Sequence, residues 1–533
     1  MISRFLSEKG VWIAAALAVA AAFCLYGFSV WFGALNQDEG WYLYASRMVA
    51  NGSFPYRDFF FTQGPVLPTV YGSLHGLWGK AGVLGGRVLT AGLGILGALA
   101  AGILASRLVR RECRCAAGVV AFALTACNLY HVYFTTIPKT YSLGAFLILA
   151  GFLALSWCGE NSARSACCAL LGGFLLALAA GTRISLILIL PVVAFLLLFQ
   201  RRRAGGMSWF WFGIGGTIGI ALVYGLPLLF AKEEFIWCQT FHLSRGGRNL
   251  MLMAGSLSRI VRGYAALVIL SLAVLLWNAS KDKGDGRGTE DTPPSCVKAF
   301  WRWGCLLAAG VVFAFQLCSP HPYDDYQVPV MGLFCVSSAA WLSEVAETRA
   351  KRSLVCLSAV LTVLLVSFGS PLLQDWFVIR QDRFWTVMRK QSDLSLLRKT
   401  GREIAALSGA KGELLTQDAY LAVETGLSLP RGLEMGPFSY FPELNKEEAT
   451  SNHVVNTEML LSLLKSSSAT VCAFSGYSWA IRSPVTDPVP DDERRVFLNA
   501  IRERYELVQT VPDFGQNQTT LQIYRRPHDD HSK

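Results

Sequence analysis

The sequence is poor in charged residues, and this scarcity indicates the class of protein. Asp, Glu, Lys and Arg make up 16% of the 533 residues, against about 25% in an ordinary soluble domain. Hydrophobic residues make up 53%, and the mean hydropathy is +0.39. This composition excludes an ordinary soluble protein and predicts a chain embedded in a lipid bilayer.

The fourteen cysteines lack the spacing of metal ligands. Most lie inside apolar runs, where we interpret them as small core residues; Cys113 and Cys115 form a C-x-C pair on a basic loop, which is a weak signal. The net charge of +11 comes from short basic clusters between apolar runs, as the cytoplasmic loops of membrane proteins require. The sequence therefore argues against both a metal cluster and a nucleic-acid partner.

A cleavable signal peptide is also missing. Arg4 and Lys9 precede an apolar run over residues 11–33, which is longer than the roughly 7–15 residues of a signal-peptide core and has no small-residue cleavage site. We interpret this run as an uncleaved first span. Further runs long enough to cross about 30 Å of hydrocarbon are centred near residues 93, 125, 149, 173, 191, 220, 268, 309, 336 and 363. About eleven transmembrane helices are therefore predicted.

The run over residues 166–199 is too long for one helix and is interrupted by Gly181-Thr182-Arg183, so we divide it into two short spans. With the N-terminus inside, every strong basic cluster falls on the inner side, as short cytoplasmic loops require. The same count places residues 34–80, the loop 232–258, the link around His321 and everything after about residue 375 outside. The prediction is an integral protein of the cytoplasmic (inner) membrane with a cytoplasmic N-terminus.

The last part of the chain has the pattern of a soluble α/β domain. Charge returns, and short apolar runs at residues 413–416, 469–474, 507–511 and 520–524 predict strands. Residues 447–465 and 491–505 predict helices. We expect a transmembrane module over residues 1–375 and a soluble extracytoplasmic domain over residues 376–533. The polar stretch 281–294 is interpreted as a disordered connector on the inner side.

The first outer loop begins with two adjacent carboxylates, Asp38 and Glu39, directly where the first span ends. Carboxylates at a membrane boundary are costly to desolvate and need water or cationic partners. Aromatic residues on both sides indicate a segment that lies in the interface. The alternative is a solvated acidic turn that only marks the end of the helix.

The loop continues Gly-Trp-Tyr, then Pro-Tyr-Arg-Asp-Phe-Phe and Gln-Gly-Pro. Over residues 36–72 it resembles the membrane-embedded GT-C glycosyltransferases, specifically the group similar to dolichyl-phosphate-mannose protein mannosyltransferases; out to about residue 375 the resemblance is one of topology and spacing. It implies transfer of a sugar from a polyprenyl-phosphate donor to a glycan, lipid or protein acceptor on the extracytoplasmic face, generally with inversion. It also implies that the catalytic carboxylate is Asp38 and that transfer often proceeds without a metal, and we expect no cofactor.

Asp38 is predicted to be the general base, because the attacking acceptor hydroxyl must lose its proton. Glu39 is then expected to face away or to orient the acceptor. Contacts with the sugar or the acceptor are predicted for Arg57, Asp58, Gln63 and Asp324. Because carboxylates 38, 39, 58, 324 and 325 are ligands of the kind that divalent ions use, a metal site among them is an alternative that we weighed.

The leaving phosphate needs fixed cations or hydrogen-bond donors. Similar enzymes often carry a lysine before the proline of the first loop, where this chain has Gln63-Gly64-Pro65. We therefore place the phosphate contacts elsewhere on the outer side, at Lys139, Arg183, Arg245, Arg248, His321 and Tyr323.

Arg183 is the most informative of these candidates, because a cation between two short apolar runs costs about 2.5–3.5 kcal/mol unless it is paired or hydrated. An anionic partner is expected. Each phosphate contact also has a structural alternative. Arg183 could snorkel to the interface, and Lys139 could anchor its helix in the membrane. The 232–248 loop could be attracted to anionic lipid, and the segment around His321 could be a solvated turn.

Two other functions fit the sequence. A transporter or lipid flippase would have many spans and buried charges, but usually shows paired halves with interruptions at matching positions, and we find one interruption, at Gly181. In a noncatalytic envelope-assembly scaffold, the carboxylates and cations of the outer loops would not converge on one pocket.

Overall fold

The computed structural model describes residues 2–158, 163–204, 207–241, 250–281, 296–346, 348–369, 391–409 and 412–527. Up to residue 369 the described elements are helical. They are α1 (Ile2–Phe32), α2 (Gln37–Ala50), α3 (Val66–Ser73), α4 (His75–Trp78), α5 (Gly82–Arg107), α6 (Arg114–Ala126), α7 (Leu129–Phe134), α8 (Thr140–Leu155), α9 (Ala163–Ala180), α10 (Ile189–Ala204), α11 (Ser208–Ile220), α12 (Leu226–Phe230), α13 (Lys232–Thr240), α14 (Leu250–Gly263), α15 (Ala265–Lys281), α16 (Cys296–Leu317), α17 (Val328–Val345) and α18 (Arg349–Gly369).

The described helices include seven that are long and apolar enough to cross a membrane: Lys9–Phe32, His75–Arg107, Ala163–Ala180, Ser208–Phe230, Lys298–Leu317, Asp324–Val345 and Arg349–Gly369. The pair α14 and α15 bends by 79° and makes an eighth if it forms one span. The protein is therefore an integral membrane protein. Shorter helices occupy the other predicted positions, so the number of eleven crossings stays a prediction.

The predicted interruption at Gly181 is confirmed. Helix α9 ends at Ala180, and a short 3₁₀ turn, Ile184–Leu188, precedes α10. The first outer loop reaches this break, because the Val66 amide donates to the Gly181 carbonyl at 3.1 Å. A Cβ atom at Gly64 would lie 2.1 Å from the same carbonyl oxygen, so only glycine permits this approach.

The C-terminal region forms α19 (Asp393–Ser408), β1 (Leu414–Leu415), α20 (Ala419–Thr425), α21 (Lys446–Ser451), α22 (Thr457–Ser466), β2 (Val471–Phe474), α23 (Asp491–Arg502), β3 (Glu506–Phe514) and β4 (Thr519–Arg525). The sheet order is β1-β2-β4-β3, with β1 parallel to β2 and the other pairs antiparallel. The four predicted strands and the helix beginning at residue 491 are confirmed.

The single helix predicted over residues 447–465 is wrong, since α21 ends at Ser451 and α22 begins at Thr457. His453 adopts a left-handed backbone with φ of 57°, which ends the first helix. The Asn456 side chain then accepts from the Met459 amide at 2.9 Å and caps the second. Local side-chain capping thus overrides the continuous helical periodicity.

The C-terminal region packs directly on α2. Arg47 of α2 donates to the carbonyls of Ala422 at 2.8 Å and Leu427 at 2.5 Å, and the Tyr44 hydroxyl accepts from the Leu429 amide at 2.8 Å. These contacts are between residues more than 370 positions apart in the chain. The helix after the first span is therefore shared between the membrane part and the C-terminal region.

Glu434 gives the C-terminal region a pH-dependent stability. The side chain is 4% exposed and accepts from the Gly432 amide at 2.8 Å, and its burial raises the pKa from 4.5 to about 7. The protonated carboxyl is thus the form that the fold prefers. Its contribution is fully present below about pH 4.5 and is lost as the pH rises through about 7, with a total on the order of 3 kcal/mol.

We therefore expect Glu434→Gln to flatten the decline of thermal stability between pH 5 and pH 8. Unfolding of the detergent-solubilised protein, followed by tryptophan fluorescence across this range, measures the difference between the two curves. Glu503→Gln, at an exposed carboxylate of the same region, is the matched control and should follow the wild type. Parallel curves for wild type and Glu434→Gln would contradict the prediction.

Candidate functional site

Asp38 lies in the first turn of α2, where a capping box fixes the backbone. The Asn36 side chain accepts from the Asp38 amide at 3.0 Å, and the Glu39 carboxylate accepts from the Asn36 amide at 2.8 Å. Both contacts satisfy amides that have no partner within the helix. The motif therefore gives Asp38 a defined position at the end of the first span.

Glu39 points away from Asp38 into the protein and pairs with Arg87. The two guanidinium contacts to the carboxylate measure 2.6 and 2.8 Å, and the two side chains are 0% and 1% exposed. Arg87 also donates to the carbonyls of Val30, Gly33 and Ala34 at 3.2, 2.8 and 2.9 Å. Glu39 and Arg87 thus connect α5, the end of α1 and the start of α2.

Asp38 belongs to a chain of ion pairs. Lys139 Nζ lies 2.9 Å from Asp38 Oδ2 and 3.7 Å from Asp325 Oδ2. The Trp41 indole donates to Asp38 Oδ1 at 3.3 Å. The Asp38 side chain is 29% exposed, whereas that of Lys139 is 8% exposed. A ligand from solution can therefore reach the Asp38 carboxylate, whereas the Lys139 ammonium is more deeply buried.

The link between α16 and α17 completes the cluster. Asp325 accepts from the Tyr141 hydroxyl at 2.9 Å, and Asp324 accepts from the Tyr130 hydroxyl at 2.6 Å and from Arg259 Nε at 2.9 Å. Residues from α7, α8 and α14 thus converge on two adjacent carboxylates. The sequence prediction that Asp324 binds sugar or acceptor remains untested, but the residue already has two donors.

Arg183 stacks on aromatic rings. Its guanidinium carbon lies 3.5 Å from the Tyr326 ring centre and 5.8 Å from that of Tyr141, with Asp325 as a more distant electrostatic neighbour. Within the described residues no carboxylate forms an ion pair with Arg183, so the expected direct pairing is replaced by cation–π contact. The guanidinium edge therefore remains available for an anion.

The other candidates lie in several places. Arg57 and Asp58 pair with each other at 2.7 Å on the surface, and the hydrogen bond from Arg57 is the main cause of a lowered Asp58 pKa. The Gln63 backbone carbonyl accepts from the Tyr56 hydroxyl at 2.5 Å.

The rings of His321 and Tyr323 stack with centres 6.2 Å apart, and the Tyr323 ring meets that of Tyr326 at 5.3 Å. The last contact joins the 321–326 link to Arg183. Arg245 and Arg248 lie outside the described residues.

Several members of the cluster were not among the predicted site residues: Arg87, Tyr130, Tyr141, Arg259, Asp325 and Tyr326. For Arg87 a signal existed, because a lone arginine inside a long apolar run needs a buried partner. In the sequence this cost of an unpaired cation pointed equally to Arg183, the other arginine between apolar runs. Arg259 gave no comparable signal, since it lies on an amphipathic helix beside a second arginine, Arg262.

The carboxylates of Asp38, Asp324 and Asp325 form ion pairs with Lys139 and Arg259, and those of Asp324 and Asp325 also accept hydrogen bonds from tyrosine hydroxyls. Among the residues that the structure describes, no group of three or more His, Cys, Asp or Glu side chains is arranged to hold a metal ion. Asp58 and Glu39, which the sequence analysis weighed as metal ligands, pair with Arg57 and Arg87 instead.

No protein-family model matches the sequence, and no curated protein sequence matches it. Solved structures do match. ArnT from Cupriavidus metallidurans bound to undecaprenyl phosphate has a TM-score of 0.57 and 12% identity, with 96% of this chain and 97% of that chain covered; its apo state has a TM-score of 0.56. ArnT and the archaeal oligosaccharyltransferase AglB are both GT-C membrane glycosyltransferases. The chain has the GT-C fold.

The apo oligosaccharyltransferase of Archaeoglobus fulgidus has a TM-score of 0.50 and 12% identity, with 98% of this chain and 75% of that chain covered. The GT-C fold and the small C-terminal sheet expected from the sequence are therefore confirmed. Within this fold, Asp38 lies at the end of the first span and pairs with Lys139 at the start of α8. At 12% identity the likeness establishes the fold, and the function is argued from the site below.

Proposed function

We propose that this protein is a glycosyltransferase that moves a sugar from a polyprenyl-phosphate donor to an acceptor on the extracytoplasmic face, with Asp38 as general base. The observation that carries the proposal is the partly exposed Asp38 carboxylate, held against Lys139 at 2.9 Å in a GT-C fold. The binding of undecaprenyl phosphate by ArnT, which has a similar structure, supports a lipid-phosphate donor.

In the proposed reaction an acceptor hydroxyl attacks the anomeric carbon of the donor sugar. Its proton passes to the Asp38 carboxylate, a new C–O bond forms, and the bond between the anomeric carbon and the phosphate oxygen breaks. The electron pair of that bond leaves with the lipid phosphate. Attack from the face opposite the phosphate inverts the anomeric configuration. Because Glu39 is buried with Arg87, a single carboxylate serves as base.

Lys139 and Arg183 are suited to stabilise the charge that develops on the leaving phosphate. Lys139 lies within ion-pair distance of both Asp38 and Asp325, so its ammonium is positioned beside the general base and can attract a phosphate that binds there. Arg183 presents its guanidinium edge beside Tyr326. We place the donor phosphate between these two cations, with His321 and Tyr323 at the border.

An apolar groove is suited to hold the polyprenyl tail. A cavity of about 580 Å³ opens between the bent pair α14–α15 and helices α16 and α17, and its lining includes Ile260, Tyr264, Trp303, Phe313 and Trp341. Arg259, which contacts Asp324, precedes Ile260 on the same helix. One end of the groove thus lies next to the charged cluster. A polyprenyl phosphate needs this arrangement, because its apolar tail and its charged phosphate are adjacent parts of one molecule.

The domain and orientation assignments complete the proposal. Residues 1–375 form the membrane module and residues 376–533 the soluble domain, with the N-terminus in the cytoplasm. The basic clusters at residues 107–114, 201–203 and 349–352 then face the cytoplasm, following the positive-inside rule. Asp38 follows α1 and therefore lies on the opposite side from the N-terminus, and the C-terminal domain lies on the same side because it contacts Gln37 and Gly40.

A lipid transporter is the second candidate, and one observation favours it. The 79° bend between α14 and α15 is a second helix interruption besides Gly181, and interrupted helices line the binding sites of many transporters. The convergence of Asp38, Lys139 and Asp325 favours the enzyme. This convergence also argues against a scaffold whose charged loops remain apart.

To test the proposal, the purified protein in detergent is incubated with hexoses and pentoses linked to undecaprenyl or dolichyl phosphate, and release of the polyprenyl phosphate is measured. We expect release from at least one donor in the wild type and release that is at least about 100-fold slower in Asp38→Asn. A transporter would leave every donor intact but would move a labelled donor across the bilayer of proteoliposomes. Intact donors combined with such movement would replace the enzyme by the transporter.

A further inference from the structure

The C-terminal region surrounds the turn that carries Asp38. The Gln37 side chain donates to the Gln417 carbonyl at 3.0 Å, and a Cβ atom on Gly40 would lie 2.4 Å from the Tyr420 amide nitrogen. The Trp41 ring, whose indole donates to Asp38, meets the edge of the Phe438 ring at 6.4 Å. Residues on both sides of Asp38 are thus in direct contact with the C-terminal region.

A loop of this region, residues 475–478, is held rigidly by buried Asp418. The Asp418 carboxylate accepts from the Ser475 amide and hydroxyl and from the Ser478 hydroxyl, each at 2.9 Å, and from the Tyr420 hydroxyl at 3.0 Å. Asp418 immediately precedes α20, the helix that packs on Gly40. The loop therefore has a fixed position relative to the turn that bears Asp38.

Tyr477 is carried by this loop. Asp38, Lys139 and Tyr323, which belong to the membrane part, are among the groups that interact electrostatically with its side chain. Burial is the main cause that raises the Tyr477 pKa to about 12, so the phenol is neutral at physiological pH. Within the described chain no group hydrogen-bonds its hydroxyl, which leaves both a donor and an acceptor for a ligand.

We propose that residues 475–478 form the acceptor side of the site and that Tyr477 contacts a carbohydrate acceptor. This inference rests on the proposed function and assigns a role to the C-terminal region. A tyrosine offers a flat apolar face and a neutral hydroxyl, which suits a hydroxyl-rich sugar better than a charged phosphate. The donor cations and the apolar groove lie on the membrane helices, so donor and acceptor approach Asp38 from different parts of the chain.

The test separates acceptor binding from donor binding. The donor identified in the release assay is offered with methyl glycosides and short oligosaccharides as acceptor probes, in wild type, Tyr477→Phe and Tyr477→Ala. We expect the acceptor KM to rise about tenfold in Tyr477→Ala and less in Tyr477→Phe, with the donor KM and the slow release to water unchanged. Tyr524→Phe, a phenol in β4 that donates to Gln522 at 2.7 Å, is the matched control.

A direct measurement of acceptor binding tests the role of Tyr477 without relying on the rate of sugar transfer. In the Asp38→Asn background, saturation-transfer NMR of the same glycosides should show binding that a second change, Tyr477→Ala, removes. Unchanged acceptor binding in the folded double variant, an increase confined to the donor KM, or no binding by any glycoside would overturn the inference. Retained release in Asp38→Asn would overturn the proposed function instead, so the two failures are distinguishable.

Discussion

Replacing Asp38 by Asn should lower the rate of sugar transfer by about 10²–10⁴-fold, the range that a positioned general base contributes. Asparagine has nearly the same shape and retains an oxygen that can accept from the Trp41 indole, which lies 3.3 Å from Asp38 Oδ1 in the wild type. It cannot accept the proton of the attacking hydroxyl. The loss should therefore appear in kcat, with only a small change in the donor KM, as measured by release of polyprenyl phosphate.

A matched control is Glu503, an exposed carboxylate of the C-terminal region that is not among the predicted site residues. Glu503→Gln should transfer sugar at close to the wild-type rate. Because Asp38→Asn also leaves Lys139 with Asp325 as its remaining ion-pair partner, thermal unfolding must show that the variant is folded. A folded Asp38→Asn protein with more than a tenth of the wild-type rate would refute the role of Asp38 as general base.

Arg87→Met should have the largest effect on stability. The change leaves the Glu39 carboxylate, which is 0% exposed, without its cation, and such a loss typically costs about 3–5 kcal/mol. It also removes donors to the carbonyls of Val30, Gly33 and Ala34. We expect the apparent Tm in detergent to fall by several degrees, measured by fluorescence-detected size exclusion after heating.

A double variant tests whether the unpaired charge is the cause. Glu39→Gln combined with Arg87→Met removes the carboxylate charge and should recover part of the lost stability, because no buried ion is left without a partner. Arg57→Met, at an exposed arginine of the first outer loop, is the control and should unfold as the wild type does. Additive losses in the double variant would show that the ion pair is not what stabilises this junction.

The sequence predicts much of the membrane part, because apolar length and basic clusters follow directly from the cost of placing polar groups in hydrocarbon. The same cost identified the break at Gly181. The split between α21 and α22 was not predicted. It depends on capping by Asn456 and on the left-handed backbone of His453, and neither feature changes the spacing of the apolar residues.

The site was only partly predictable. Asp38 and Glu39 stood out as two adjacent carboxylates at a membrane boundary, and the role of Asp38 as general base, which the resemblance to GT-C enzymes implies, stays a prediction. Lys139 was predicted as a phosphate contact, but its contacts with Asp38 and Asp325 were not, since Lys139 and Asp325 are 101 and 287 positions away from Asp38 in the chain and their convergence depends on how the helices pack. The proposed role of the C-terminal region was not predicted for the same reason, because Tyr477 has no local motif that points to Asp38.

The contact between Gly64 and Gly181 has a mechanical consequence. At these two positions the chain segments meet backbone to backbone, with no side chain between them that can rotate aside, and Val66 adds a hydrogen bond to the same carbonyl. The outer loop and the joint between α9 and α10 are therefore expected to move together. Arg183, two residues after Gly181, stacks on Tyr326 at 3.5 Å, so a shift of this cation is coupled to a shift of the loop that follows α2.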